Sequence, residues 1–246
     1  MLRAAPPKLL DARAGTVAAW QARARWHVIA AISMPIVALL HIFDEQAFHY
    51  FLRPMWRVQE LQPPGFFLPD WYQVLRQAGN LELWIALSIM LWGVDAHRLG
   101  RIFTPAAWRR GWLLLAGSAG AGILAEIMKL IVARERPITG ASIDYQGYVH
   151  HIPLIDPLFL GQGNLGFPSS HAAVAFGAAI TLARLIPGTL PVMIFLALGC
   201  GWTRMLMGAH FLTDVAGGAA LAWIWVTWLR PTTRMPAAHA ELEATR

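Results

Sequence analysis

Apolar residues in this chain fall into long runs separated by short polar stretches. A helix needs about 20 apolar residues to cross a bilayer core, and the runs were measured against that length. Six are read as spans: about Trp26 to Phe43 (with Pro35 inside), Leu81 to Val94, Trp112 to Val132, His171 to Ile186, Leu190 to Leu206, and Phe211 to Leu229. The third is rich in small residues from Gly117 to Gly122, which lets neighbouring helices approach closely. Pro187-Gly188 marks a tight turn between the fourth and the fifth. Between Phe51 and Asn80 the chain is too polar to span, yet it carries Trp56, Phe66, Phe67, Trp71 and Tyr72. Aromatics of this kind favour the headgroup layer, so this stretch is read as an interfacial segment. The expected fold is all-α: a polytopic membrane protein with a bundle of six transmembrane helices over 26–230, flanked by tails 1–25 and 231–246.

Composition supports the lipid setting. Hydrophobic residues make up 57% of the 246 residues and charged residues only 14%, with a mean hydropathy of +0.46. A soluble domain carries about a quarter charged residues, so the excess apolar surface must face lipid. The net charge of +6 is read as loop charge beside a membrane. No basic stripe interleaved with aromatics is present, so no nucleic-acid partner is expected. The single cysteine, Cys200, lies in an apolar run and is read as a buried structural thiol.

Basic residues set the orientation. The N-terminal tail, the connection between the second and third spans, the turn after the fourth and the C-terminal tail hold most of them, including Arg3, Lys8, Arg98, Arg109, Arg184 and Arg230. Positive loops stay in the cytoplasm, which places both termini there and the opposite helix ends at the outer face. The first span is read as a retained helix, because Asp44-Glu45-Gln46 follows it in place of a small-residue cleavage site.

Ionisable groups within spans are costly and call for a reason. Lys129 lies near the end of the third span, with Arg134, Arg136 and Pro137 after it. Pro168-Ser169-Ser170-His171 opens the fourth, Thr203-Arg204 closes the fifth, and His210 and Asp214 open the sixth. By the orientation above, all of these meet at one face. Lys129 and Arg136 are seven apart, about two helical turns, which puts both on one face of a helix. Two fixed cations aimed at one place suit a phosphate. Ser169 is a good N-cap, and the free N–H groups behind it form a second anion cradle within reach of His171. Asp214 is four residues from His210, where a carboxylate fixes the imidazole tautomer. Glu126, one turn before Lys129, is placed to pair with it, or else to pack. His150-His151 are read as part of a plain loop in preference to a metal-binding pair.

Together these pieces resemble the type-2 phosphatidic acid phosphatase family. The likeness rests on Lys129-(six residues)-Arg136-Pro137, Pro168-Ser169-Ser170-His171, and Thr203-Arg204-(five residues)-His210-(three residues)-Asp214, and covers about residues 112 to 230. Ser170 stands where glycine is usual and Thr203 where serine is usual. The resemblance implies that His210 attacks phosphorus, Asp214 orients it, and His171 serves as acid and then base. It also implies that Lys129, Arg136, Arg204, Ser169 and the backbone at Ser170 hold the phosphate, with no metal or cofactor. The expected activity is a phosphatase acting on a phospholipid or polyprenyl phosphate at the periplasmic face of a bacterial inner membrane. Undecaprenyl diphosphate, phosphatidic acid, phosphatidylglycerophosphate and lipid A phosphates all fit. A phosphotransferase using the same site, and a transporter or scaffold, are the competing readings. The sequence leaves oligomeric state open.

Overall fold

The computed structural model describes residues 26–53, 56, 60, 62–137 and 164–229. Within them the chain is helical, with one isolated β-bridge between Glu135 and Leu165. Eight α-helices follow in order: α1 Trp26–Leu40, α2 Asp44–Phe51, α3 Asp70–Gln77, α4 Leu81–Leu99, α5 Pro105–Val132, α6 Ser170–Leu185, α7 Leu190–Leu206 and α8 Leu212–Trp228. A 3-10 turn, His41–Phe43, joins α1 to α2.

Every apolar run of the sequence becomes a helix, and the differences lie at the ends. The first continues through Asp44 to Phe51, one helical run of 26 residues. The third begins at Pro105, seven residues earlier than the apolar run. Thr104 caps it, its hydroxyl accepting from Ala107 N–H at 3.3 Å. A cap and a proline in the first turn start a helix among polar residues, and an apolar count does not register them. Two helical runs are both long and apolar enough to cross a bilayer by length and composition, Trp26–Phe51 and Pro105–Val132; α6 and α7 are apolar but shorter.

The centre of the bundle is built from small side chains. α6 packs against α5, α7 and α8, while α4 lies on α5 and α1 on α8. Ala121, Ala125, Ala173 and Ala222 are all fully buried between α5, α6 and α8. A Cβ added at Gly117 would sit 2.0 Å from Thr181 Oγ1, and one at Gly177 would sit 2.4 Å from the Gly117 carbonyl oxygen. Glycine alone permits that separation, so dispersion between backbones takes the place of interdigitated large side chains.

Large apolar side chains point outward instead. Ile123, Ile127 and Ile131 on α5 are all about half exposed or more, four residues apart on one helix face. Ile32, Met34, Ile36 and Leu39 on α1 and Val192, Phe195 and Leu198 on α7 do the same. A soluble protein hides such stripes; a helix bundle in lipid presents them.

The aromatic stretch folds against the bundle. α3 packs on α7: Trp71 stacks on Trp202 with centroids 5.3 Å apart, and Leu75 fills the space that Gly199 leaves open. Tyr72 is fully buried. The sequence predicts an interfacial helix or loop here; part of the stretch forms a helix, and its docking face was not legible in the sequence.

Candidate active site

Four helix ends meet at one end of the bundle: the C-termini of α5 and α7 and the N-termini of α6 and α8. Backbone bonds lock them together. Gly166 N–H donates to the Arg134 carbonyl at 2.7 Å and Arg136 N–H to the Asn164 carbonyl at 3.0 Å. Ser169 N–H donates to the Asp214 carbonyl at 2.9 Å, tying α6 to α8. Gly166 permits this closeness, since a Cβ there would lie 3.0 Å from the Glu135 carbonyl and 3.1 Å from Asp214 Oδ2.

The expectation that Lys129 and Arg136 share one helix face is overturned. The helix ends four residues before Pro137, at Ala133, which takes a left-handed φ of 51° and donates its N–H to the Lys129 carbonyl at 2.7 Å. Residues 134–136 then run beside 164–166, so Arg136 reaches the site from a loop. The reason is tertiary. The pairing between the two segments satisfies backbone groups that one more helical turn would have satisfied. Arg136 Nε donates to the Leu165 carbonyl at 3.4 Å, which leaves its two terminal nitrogens for other acceptors.

Lys129 is 7% exposed, and its ammonium donates to Glu126 at 2.8 Å and to Ser170 Oγ at 2.9 Å. Two of its three N–H bonds are thereby used. The pairing of Glu126 with Lys129 is therefore present. Ser170, the residue standing in place of glycine, accepts from the lysine through the very side chain that glycine lacks. Ser169 is the N-cap of α6, and its hydroxyl accepts from Ala172 N–H at 3.4 Å. Its hydroxyl is fully buried in the cap, so any part it plays toward an anion is through its remaining O–H. His171 follows in the first turn, half-buried, against Gly79 and Cys200: a Cβ on Gly79 would come within 2.8 Å of the His171 Cβ. Arg204 is 8% exposed at the end of α7, and its Nε has no hydrogen-bond partner among the described residues.

His210 lies in the turn between α7 and α8 and is 3% exposed. Its Nδ1 faces Asp214 Oδ2 at 3.4 Å. That carboxylate also accepts the Phe211 N–H at 2.9 Å, and its other oxygen pairs with Arg134. A carboxylate on Nδ1 holds the proton there and leaves the Nε2 lone pair free. Burial first, and then Arg204, Arg136 and Lys129, hold the imidazole pKa well below its ordinary value. The ring is thus a neutral base at neutral pH, in a setting dense with positive charge. Such a constellation has the chemistry to hold an anion and to present it with a nitrogen lone pair.

A model of the PAP2 superfamily matches residues 110–236, just over half of the chain. The chain belongs to the PAP2 superfamily. Relatives include the decaprenylphosphoryl-5-phosphoribose phosphatase of Mycobacterium tuberculosis, 32% identical over 124 residues, which are 50% of this chain and 61% of that protein. The protein of the same name from Mycolicibacterium smegmatis is 30% identical over 136 residues, 55% of this chain and 62% of that one. The chain therefore spans less than two thirds of these relatives. A PAP2-type transmembrane phosphatidylglycerolphosphate phosphatase from Bacillus subtilis shares the fold, with a TM-score of 0.54 at 19% identity, covering 83% of this chain and 92% of that one. The all-α architecture of a PAP2 membrane protein is thus shared along most of the chain.

Sequence reasoning expected all eight candidate side chains at one helix-end cluster, where the structure places them, with Arg136 coming from a loop instead of a helix face. It missed Arg134 as a partner of Asp214, and Asp44 behind it. Arg134 was visible as one more basic residue of the segment after the third span; nothing local singled it out. His150 and His151 lie outside the described residues.

Proposed function

We propose that this PAP2 protein is an integral membrane hydrolase that removes phosphate from a lipid phosphate or diphosphate. The observation that carries this reading is the buried His210, its Nδ1 facing Asp214, in a cluster with Lys129, Arg136 and Arg204. In the first step the Nε2 lone pair of His210 forms an N–P bond while the P–O bond to the lipid oxygen breaks. His171 gives its proton to that oxygen. In the second step His171 takes a proton from water, the water oxygen bonds to phosphorus, and the N–P electron pair returns to Nε2. This is nucleophilic catalysis with one acid-base partner. The three cations stabilise the equatorial oxygens as charge builds on them. The reading requires no metal.

The substrate class follows from the bilayer setting and from relatives named for a decaprenylphosphoryl sugar phosphate and a phosphatidylglycerolphosphate. A polyprenyl or glycerolipid phosphate enters sideways from the membrane. On the reading of six spans with both termini in the cytoplasm, supported by the basic loops of the sequence, the site faces the periplasm.

The test uses full-length protein in detergent, with chelator, on phosphatidic acid and farnesyl diphosphate. Phosphate release is expected from the wild type and none above background from His210→Ala. Equal release by both proteins defeats the mechanism, and loss of wild-type activity on chelation defeats its metal independence. Label passed to an added alcohol, with little free phosphate, assigns the site to phosphotransfer instead.

A further inference from the structure

Behind the phosphate cradle lies a second set of charges that the mechanism above does not use. Asp44, in the first turn of α2, is fully buried, and Arg134, in the loop after α5, is 4% exposed. Thr213 joins them. Its backbone N–H donates to Asp44 Oδ1 at 2.8 Å, and its hydroxyl is hydrogen-bonded to the other carboxylate oxygen. Both terminal nitrogens of Arg134 donate to the same hydroxyl at 3.1 Å, and Arg134 lies 3.8 Å from Asp44 Oδ2. The Phe167 and Phe211 rings flank its guanidinium, with centroids 5.0 and 4.9 Å away. Arg134 then pairs with Asp214 Oδ1, and Asp214 Oδ2 faces His210. A continuous chain of polar contacts thus runs from α2, outside the 110–236 family segment, to the imidazole.

We propose that Asp44 and Arg134 are positioning residues for His210, with Arg134, anchored by Asp44 through Thr213, clamping Asp214 so that its second oxygen stays on Nδ1. The proposal rests on the reading of His210 as the nucleophile. Its physical basis is charge as well as aim. Burying charges without balance is costly. Asp44, Arg134 and Asp214 together carry one net negative charge. A neutral imidazole leaves that charge standing; the ring phosphorylated at Nε2 and protonated at Nδ1 is cationic and balances it. The set therefore favours the ring as it exists after attack. With Asp44 neutral, Arg134 and Asp214 cancel one another and the cationic ring loses its net counter-charge. The rigid hydrogen-bond fork of arginine suits a group shared between two carboxylates and a hydroxyl.

The remaining groups that face His210 act the other way or not at all on this balance. Lys129 on α5, Arg136 in the following loop, Arg204 on α7 and His171 on α6 all disfavour a cationic ring. His41 Nδ1, 3.7 Å from Asp44, is the other titratable group beside the anchor.

The experiment compares full-length wild type, Asp44→Asn, Thr213→Val, Arg134→Gln and Arg134→Lys in detergent, on phosphatidic acid across a pH series. None of these side chains touches the cradle, so KM is expected to stay within about threefold while kcat falls roughly ten- to a hundredfold. The acid limb of the profile in Asp44→Asn is expected to move to lower pH, because removing an anion makes the protonated ring less stable. The substrate's own ionisation is common to both profiles and cancels in the difference. Arg134→Lys is expected to recover part of what Arg134→Gln loses. An Asp44→Asn protein with an unchanged melting midpoint, wild-type kcat and an unmoved limb overturns the proposal. So does a loss of activity with the limb unmoved, which is the mark of a merely structural role. If Asp44→Asn does not fold, Thr213→Val, which keeps the side-chain shape and breaks the link between Asp44 and Arg134, decides by kcat and KM: a fall in kcat with KM held is expected, and a folded protein with wild-type kcat overturns the proposal. His210→Ala separates the two levels. Activity in that variant removes the nucleophile reading itself, whereas a dead His210→Ala beside a normal Asp44→Asn removes only the relay.

Discussion

At the scale of single residues, Ser170 shows how one side chain changes the proposed phosphate site. Glycine at this position offers a bare N–H; serine adds a hydroxyl that takes one N–H of Lys129 at 2.9 Å. Glu126 takes another at 2.8 Å from a side chain that is 61% exposed. Lysine has three donors, so an arriving phosphate competes with both. We expect Ser170→Gly to free one donor and lower KM by about two- to fivefold, a gain on the scale of one hydrogen bond to a charged group discounted for solvent. Its melting midpoint should drop by a few degrees, since glycine in a helical first turn costs about 0.5–1 kcal/mol. Michaelis kinetics and thermal unfolding in detergent read both effects. An unchanged KM would mean that the lysine gives up the serine hydroxyl at no cost. The pairing of Lys129 with Glu126 is one that the sequence spacing already offered; the pairing with Ser170 joins residues 41 apart and needed the fold.

Among elements, the decisive contact is between α5 and α6. Their spacing fixes the distance from Lys129 to the first turn that holds Ser170 and His171. Gly117 and Gly177 set that spacing, because any side chain at either one strikes the opposite helix. Gly117→Val should push the helices apart and cost about 1–3 kcal/mol or more by overpacking. Gly93→Ala, with nothing within 4 Å of the new Cβ, should leave stability unchanged or raise it, because alanine is the better helix former. Thermal unfolding of the two variants beside the wild type checks the contrast, and equal midpoints would show that the small-residue seam does not set the packing. The seam was plain in the sequence as Gly117 to Gly122. Its partner was not, because Gly177 and Thr181 do not stand out from an ordinary apolar run. α3 is the same case. Trp71 and Tyr72 marked an interfacial helix by composition, and only the stack on Trp202 shows which face it docks with.

Across the whole molecule, large apolar side chains line the outside and alanine and glycine fill the middle. That inversion suits a bundle surrounded by lipid. The helix ends opposite the site also carry basic residues: Arg98 near the end of α4, Arg101 between α4 and α5, and Arg109 and Arg110 in the first turns of α5. We expect a cysteine placed between Thr139 and Phe167, in a Cys200→Ser background, to react with an impermeant thiol reagent on intact cells. A cysteine at Arg101 in the same background should react only after lysis. The reverse pattern would invert the orientation and move the site to the cytoplasm. Labelling of both from outside would break the six-span reading.

The amino-acid sequence by itself determined the apolar helices, the cap at Ser169, the turn at Pro187-Gly188 and the set of cations and histidines. Each of these is a local property: a run length, a capping residue, a fixed φ, or a charge where lipid makes charge costly. Only the tertiary structure decided how those groups are aimed. Arg136 reaches the site from a loop because its segment pairs with residues 164–166 instead of extending a helix. Asp44 reaches Thr213 across 169 residues of sequence separation, and Arg134 carries the contact on to Asp214. Buried charges choose partners by proximity in the fold, which no local spacing encodes. Arg134 and Asp44, which lie behind the Asp214 side chain, were therefore the residues the sequence could not name.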